Sequence, residues 1–214
     1  MAVVVVLHGL ARTHRSVSGL TAVIANAGYK TWSATYPSRQ QGIQELARSI
    51  AARIRAEAPA DEYHAVTHSL GGILVRHMRD ELPWSRVVML APPNRGSRVG
   101  LALRENPLYR WAYGPAGRDL TDASSWPDPP TPFGVIAGTR SFSIGNPISW
   151  LTRSAEMFPP DAPSDGTVSV EETKHPKMAA HAEIDATHTF IMNDPRARAL
   201  TLEFLAEGRF HSQR

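Results

Sequence analysis

The chain has 214 residues, enough for one full hydrophobic core, with 42% apolar and 20% charged residues as in ordinary soluble globular proteins. It has no cysteine, which excludes a disulfide framework, a thiolate nucleophile and a zinc site with sulfur ligands. The net charge of +3 comes mostly from arginines spread along the chain, without a basic run or an RNA-recognition signature, which argues against nucleic-acid binding. We expect a single domain over residues 1–214.

The apolar run at Val3–Leu7 predicts a buried strand rather than a targeting segment. It is too short for the core of a signal peptide and has no positive flank. No stretch approaches the length of a transmembrane helix, so we expect no stable insertion into a membrane. A cytoplasmic protein is therefore expected, with a secreted mature form as the alternative.

Short β-branched runs alternate with helical patterns, which is typical of βαβ units and a parallel sheet. In chain order the patterns predict a strand at 3–7, a helix over 16–27, a strand at 30–34, a helix over 43–57, a strand at 64–67, a helix over 70–81, strands at 86–90, 133–137 and 181–184, and a last helix between Asp194 and Gly208. The fold class is therefore α/β, with a mostly parallel central sheet flanked by helices.

Two stretches, residues 104–132 and 139–166, show no periodicity and are rich in proline, glycine and aromatic residues. Loops of this length in a compact domain are usually functional. We expect both stretches to be irregular loops near the functional site, forming at most a minimal cap.

Residues 67–72, Thr-His-Ser-Leu-Gly-Gly, lie between a predicted strand and a predicted helix, where a nucleophile elbow occurs. Such a sharp turn presents the serine Oγ above the edge of the sheet, and small residues two before and two after the serine let the helix pack closely. Gly71 meets this need, whereas Thr67 stands where glycine is usual and predicts a wider gap between strand and helix. Ser69 is therefore the predicted nucleophile, the alternative being an ordinary helix start.

A serine nucleophile needs two backbone N–H groups directed at the developing oxyanion. Leu70 follows the serine and opens a helix, so its N–H is one predicted donor. The second donor usually comes from the loop after an earlier strand, here His8-Gly9-Leu10. We expect Leu10 to supply it, with Ala11 as the alternative, and the His8 ring to hold this loop in place.

In a site built around a nucleophile elbow, the general base is a histidine late in the chain, in a loop after the last strand. His188 precedes the last helix and fits this position. Three other histidines are less suitable: His175 is predicted in an exposed loop, His181 inside a strand, and His211 in the C-terminal tail. His188 is therefore the predicted base.

The acid is predicted at Asp165, in the turn Ser164-Asp165-Gly166 between the penultimate strand and the base. From there it can accept the Nδ1–H of His188 and leave Nε2 free for Ser69. An Asp-Gly pair also serves simply as a turn. Asp161 and Asp185 remain alternatives.

The pocket is expected to draw on Asn94, in the loop after residues 86–90, and on aromatic residues of the first irregular stretch. These aromatic residues are Tyr109 and Trp111, with Tyr113 and Trp126 further along. The alternative for any one of these aromatic residues is that it simply covers the core.

With these residues in place, the chain resembles the short bacterial α/β-hydrolases of the esterase and lipase type. The matching segments are His8-Gly9-Leu10, Tyr36-Pro37-Ser38, residues 67–72, residues 91–97 (Ala-Pro-Pro-Asn-Arg-Gly-Ser), residues 165–168 (Asp-Gly-Thr-Val) and residues 187–190 (Thr-His-Thr-Phe). The resemblance implies the α/β-hydrolase fold, a Ser-His-Asp triad at the carboxyl ends of the strands, and hydrolysis of carboxylic esters without cofactor or metal.

The expected substrate is a small-molecule or lipid ester, cleaved through an acyl-enzyme. Because little chain remains for a large cap, we expect short to medium acyl chains. The alternatives are a lipase acting on longer chains, a thioesterase, amidase or acyltransferase using the same triad, and a non-catalytic binding protein. The oligomeric state is left open.

Overall fold

The computed structural model describes residues 2–141 and 162–211, and within them six parallel strands form one sheet in the order β2-β1-β3-β4-β5-β6. The strands are β1 Val3–Leu7, β2 Lys30–Trp32, β3 Tyr63–His68, β4 Trp84–Leu90, β5 Phe133–Gly138 and β6 Ala180–Ile184. The helices are α1 Ser18–Asn26, α2 Ile43–Glu57, α3 Leu70–His77, α4 Arg98–Leu103, α5 Pro107–Asp119, α6 Val170–Thr173 and α7 Pro195–Glu207. Short 3-10 turns at His14–Val17 and Ile191–Asn193 precede α1 and α7.

Both faces of the sheet are covered by helices, which explains why β1 is a continuous apolar run. Val3, Val5 and Leu7 pack into the core that includes α2 and α3. Val4 and Val6 pack on the other face, in the core that includes α1 and α7. Side chains of a strand alternate between faces, so a strand buried on both faces needs apolar residues at every position.

The predicted helices and strands are confirmed, with shifts at their ends. The helix at Ile43–Glu57 has the predicted bounds. The last helix is capped as expected, since Asp194 accepts hydrogen bonds from the N–H groups of Arg196 and Ala197, and Gly208 ends it at φ 73°. The helix after Ser69 ends at His77, earlier than residue 81.

The prediction of an irregular stretch over residues 104–132 is wrong in its first half. Residues 107–119 form α5, which is capped by Asn106 and broken at Gly114 (φ 62°, ψ −158°), with Pro115 following. The break and the proline interrupt the 3.6-residue pattern, so the sequence shows no helical periodicity. The second stretch, 139–166, falls largely on residues 142–161, outside the described residues.

Gly114 is required both by its backbone and by its surroundings. A Cβ there would lie 1.8 Å from the carbonyl oxygen of Arg39. We expect Gly114→Ala to lower the free energy of unfolding by more than the ~1–3 kcal/mol that the strained backbone alone costs. Urea unfolding measures it.

Gly28→Ala is the matched control, because Gly28 also has a positive φ (94°) but has no atom within 4 Å of the added Cβ. Equal losses of stability in the two variants would mean that the contact with Arg39 relaxes without cost.

Parallel pairing places the ends of β1, β3 and β4 at one edge of the sheet, and the pairing of Ile184 with Gly138 adds the end of β6. Leu7 pairs with Thr67, and His68 pairs with Leu90, so the loops that follow these residues leave the sheet side by side. Ligands of open α/β sheets bind outside this carboxyl edge. The predicted site residues therefore converge there.

Candidate active site

Ser69 occupies a strained turn between β3 and α3. Its φ of 52° and ψ of −119° lie where residues with a side chain rarely occur. Its N–H donates to the carbonyl of Leu90 (2.9 Å), which extends the pairing of β3 with β4 by one residue. A Cβ at Gly71 would lie 2.9 Å from Leu7, so only glycine lets α3 approach β1 this closely. The turn directs the Ser69 side chain away from the strand and into a cavity.

Thr67 fits without glycine at its own position because Gly72 makes the space. A Cβ on Gly72 would lie 3.3 Å from the Thr67 Oγ1 and 3.2 Å from the Cβ of Pro92. The Thr67 hydroxyl donates to the Val88 carbonyl (3.3 Å), so its polar atom is satisfied inside the core. The second glycine of the motif thus accommodates the threonine.

Ser69, His188 and Asp165 form a hydrogen-bonded row. The Nε2 of His188 lies 3.0 Å from the Oγ of Ser69, and its Nδ1 lies 2.7 Å from the Oδ2 of Asp165. All three residues are buried, with Asp165 only 1% exposed. A Ser–His–Asp row of this order allows the imidazole to take the serine proton while the carboxylate stabilises the resulting imidazolium.

The Asp165 carboxylate is held by its own loop. Its Oδ1 accepts from the N–H groups of Thr167 (3.0 Å) and Val168 (2.8 Å), which leaves Oδ2 for His188. The backbone N–H of His188 also donates to the carbonyl of Asp165 (3.0 Å). A carboxylate only accepts, so the His188 Nδ1 carries the proton and Nε2 is free to receive one from Ser69.

The two predicted oxyanion donors border the nucleophile. Leu70 is the first residue of α3, directly after Ser69, and Leu10 lines the cavity beside it. The N–H of Ala11 donates to the Ser38 Oγ (3.0 Å) and is therefore already used. Between the two alternatives for the second donor, this hydrogen bond favours Leu10.

His8 holds the loop that carries Leu10. Its Nδ1 donates to the carbonyl of Gly9 (2.8 Å), its Nε2 accepts from the N–H of Tyr36 (3.4 Å), and the rings of His8 and Tyr36 stack at 3.8 Å. The Tyr36 hydroxyl donates to the carbonyl of His8. Burial lowers the pKa of His8 to about 4. His8 is therefore neutral at pH 7 and braces the loop.

His68 joins the elbow to the loop that carries His188. Its Nε2 donates to the carbonyl of His188 (2.9 Å), and its buried Nδ1 has no hydrogen-bond partner among the described residues. Burial is the largest cause that lowers the pKa of His68 well below its usual range, with the charge of His188 adding to it. A neutral ring here fixes the base without competing for the proton of Ser69.

The other histidines weighed for the base lie away from Ser69. The prediction that His175 is exposed is wrong: it is 8% exposed, because its ring packs edge-on against Phe133 and faces Asp128. His181 lies in β6 with Nε2 3.4 Å from the Thr173 hydroxyl. His211 is exposed beside glutamates of α7.

The alternative acids are placed elsewhere or not described. Asp185 is exposed and pairs with Arg140 (2.6 Å). Glu171, a further carboxylate that precedes His188 in the chain, pairs with Lys174 (3.1 Å) and Arg95 at the surface. Asp161 lies outside the described residues.

Ser69 and His188 open into a cavity of about 180 Å³. Apolar and aromatic residues form much of its wall: Leu10, Pro93, Val99, Tyr109, Tyr113, Leu120 and Val168. Drug-sized ligand pockets usually measure ~300–1,000 Å³, so this cavity is small. Tyr109 and Tyr113 are four residues apart in α5, so both lie on the face of the helix that borders the cavity.

Of the five residues predicted for the pocket, Tyr109 and Tyr113 line it, whereas Asn94, Trp111 and Trp126 do not. Trp111 is 74% exposed, because it lies two positions from Tyr109 and therefore on another face of α5. Asn94 is buried beneath the loop, where its Nδ2 donates to the Thr173 carbonyl (2.9 Å). The loop does reach the cavity, but through Pro93 and Ser97.

Arg12 and Thr189 line the cavity and were missed from the sequence. Each lies next to a predicted segment, Arg12 two residues after Leu10 and Thr189 one after His188. This closeness in sequence could have indicated that both residues lie near the site. The direction of the two side chains, however, depends on how the two loops meet.

Among residues 2–141 and 162–211, no group of three or more histidine and acidic side chains is placed to hold a metal ion. No helix in these ranges is both long and apolar enough to cross a membrane.

Solved structures with this topology include lipases and esterases. A lipase from Bacillus licheniformis in its mature form superposes with a TM-score of 0.73 at 17% identity, over 95% of this chain and 90% of that one. A metagenomic carboxyl esterase gives 0.69 at 19% identity, over 89% of this chain and 65% of that one. The chain has the α/β-hydrolase fold.

A phospholipase from Legionella pneumophila shares the α/β-hydrolase fold with a TM-score of 0.62 at 22% identity, over 81% of this chain. The chain spans 46% of that phospholipase. No family model matches the sequence, and no curated protein matches it. The resemblance to short bacterial hydrolases therefore stays a prediction at the level of the family.

Proposed function

We propose that the protein hydrolyses carboxylic esters through an acyl-enzyme on Ser69. The observation that carries this proposal is the 3.0 Å contact between the His188 Nε2 and the Ser69 Oγ, with Nδ1 held by Asp165. The strained backbone of Ser69 and its place above the carboxyl edge of the sheet support it. A structural serine needs neither the strain nor the buried imidazole.

In the proposed reaction, His188 takes the proton of Ser69 as Oγ attacks the ester carbonyl. The N–H groups of Leu10 and Leu70 stabilise the oxyanion. The bond to the alcohol then breaks, and His188 gives its proton to the leaving oxygen. Water, deprotonated by His188, then attacks the acyl-enzyme. The bond between the acyl group and Oγ breaks, His188 returns the proton to Oγ, and the acid leaves.

Other acyl-transfer activities use the same groups, since the pocket and not the triad chooses the leaving group. The assay of ester hydrolysis should therefore be repeated with thioester and amide substrates and with a competing acceptor alcohol. A non-catalytic binding protein is disfavoured because serine, base and acid are all present at hydrogen-bond distances.

The cavity sets the expected acyl length. Each CH₂ that the wall buries adds roughly 0.8 kcal/mol of binding, but a cavity of about 180 Å³ holds only a few. We expect kcat/KM to peak at short acyl chains in a series from acetyl to palmitoyl esters, with no sharp gain at an oil–water interface. A maximum at long chains would contradict this and favour the lipase alternative.

Val99→Ala tests whether the cavity wall is responsible. Val99 lines the cavity and is buried, so its truncation should move the optimum to longer acyl chains. Val17→Ala removes the same atoms from a buried valine in the core that includes α1 and α7, outside the cavity, and should leave the optimum in place.

A further inference from the structure

Arg12 is the only lining residue of the cavity with a permanent charge, and no acidic residue lines it among the described residues. Its Nη2 donates to the Thr189 Oγ1 at 3.2 Å. A guanidinium has five N–H donors and no acceptor. Within residues 2–141 and 162–211 no carboxylate forms an ion pair with Arg12, in contrast to Arg95 and Arg140, which pair with Glu171 and Asp185. Among the described residues, Arg12 thus presents to the cavity a positive charge that no carboxylate pairs with.

The charge of Arg12 reaches other groups in the cavity. It adds to burial in lowering the pKa of His68. Burial raises the pKa of Tyr113, and Arg12 opposes that rise. Both rings line the same cavity as Ser69. An anionic substrate group in this cavity would therefore meet a favourable field.

The contact with Thr189 indicates on which side of the substrate Arg12 lies. The leaving oxygen must face the Nε2 of His188, because His188 protonates it. Thr189 follows His188 directly, and its hydroxyl holds the guanidinium. This contact places Arg12 beside the loop that carries the base, which is the ground for assigning it to the alcohol half of the substrate.

We propose that Arg12 selects esters whose alcohol moiety carries a negatively charged oxyanion group, a carboxylate or a phosphate. This inference rests on the ester hydrolysis proposed above. The planar fork of a guanidinium matches two oxygens of either group, and such charge-assisted hydrogen bonds are among the strongest. The proposal names a specificity for the alcohol half of the substrate and leaves the acyl half to the apolar wall.

Paired substrates test the proposal. One pair is 3-acetoxybenzoate and 3-acetoxybenzamide, and a second is the acetyl ester of glycerol phosphate and that of glycerol, each corrected for its rate of hydrolysis by hydroxide. We expect kcat/KM to favour the anionic member by about tenfold or more, since bonds to charged groups contribute more than neutral ones. The pair with the larger preference identifies the anion as carboxylate or phosphate.

Arg12→Gln should abolish the preference, so that kcat/KM falls about tenfold or more further for the anionic member of each pair than for the neutral one. Arg12→Lys should retain part of it, because the charge remains while the planar fork is lost. Arg15→Gln is the matched control, since Arg15 is exposed and does not line the cavity. In the unmodified protein the preference should shrink as salt concentration rises, which requires no variant to fold.

Several results would overturn the inference. Equal losses for neutral and anionic esters in Arg12→Gln would assign Arg12 to the oxyanion or to the fold. A preference for an anion on the acyl half, measured with phenyl hemisuccinate against phenyl butyrate, would reverse the side. Hydrolysis of neutral esters without any anionic preference overturns this inference alone, whereas failure to cleave any ester overturns the proposed function as well.

Discussion

Replacing Ser69 with alanine is expected to lower kcat by a factor on the order of 10⁴ or more while the fold is retained. The substitution removes only the Oγ that lies 3.0 Å from the His188 Nε2. Without it the acyl-enzyme cannot form, and only binding and the oxyanion donors remain to accelerate attack by water. Alanine keeps the Cβ, so the strained turn meets the same steric surroundings. Ester hydrolysis under saturating substrate, with circular dichroism of both proteins, measures the effect.

A second serine provides the control. Ser49 lies on α2, where its hydroxyl donates to the Leu46 carbonyl (3.2 Å), away from the cavity. Ser49→Ala should leave kcat unchanged, and a serine-directed phosphonate should label Ser69 in the unmodified protein and nothing in Ser69→Ala. Undiminished turnover by Ser69→Ala would refute the proposed nucleophile.

Replacing Asp165 with asparagine is expected to lower kcat by a factor of ~10⁴, through the tautomer of His188. The Asp165 Oδ1 accepts two backbone N–H groups, so an asparagine will keep its oxygen there and turn its NH₂ group toward His188. The Nδ1 of His188 must then accept instead of donate, which places the ring proton on Nε2. An imidazole protonated at Nε2 cannot take the proton of Ser69.

Asp185→Asn is the matched control for this variant. Asp185 was the alternative acid, and its carboxylate is exposed and paired with Arg140. Exposed ion pairs contribute little, so activity and stability should change only slightly. A large loss of kcat in Asp185→Asn together with a small one in Asp165→Asn would transfer the role of acid to Asp185.

Local sequence pattern was sufficient for the elements with strong signals. The helix at Ile43–Glu57 has one apolar face, and the last helix has a capping aspartate, a proline and a terminal glycine. These features act within a few residues of chain, so they are visible without a structure. The helix α5 was missed because its break at Gly114 and the following Pro115 interrupt the helical pattern. The close approach of Gly114 to the Arg39 carbonyl joins residues that lie far apart in sequence.

The site residues also divide into those that the sequence predicted and those that only the fold placed. Chain order and neighbouring residues were enough to propose Ser69, Asp165 and His188, and the structure brings them within 2.7 and 3.0 Å of one another. Their chemical roles stay predictions until the two variants are measured. The pocket was predicted less well, since Asn94 and Trp111 point away from it.

The sequence by itself determined the alternation of strands and helices, the elbow around Ser69 and the order of the three site residues. These follow from periodicity, capping and steric rules that operate along the chain. Three features were decided by the tertiary structure alone. Gly72 makes room for Thr67, the N–H of Ala11 donates to Ser38, and Arg12 lines the cavity with its guanidinium bonded to Thr189. Each of these contacts joins residues from separate loops or elements, and the direction of a side chain across such a contact is set by packing, which local pattern does not encode.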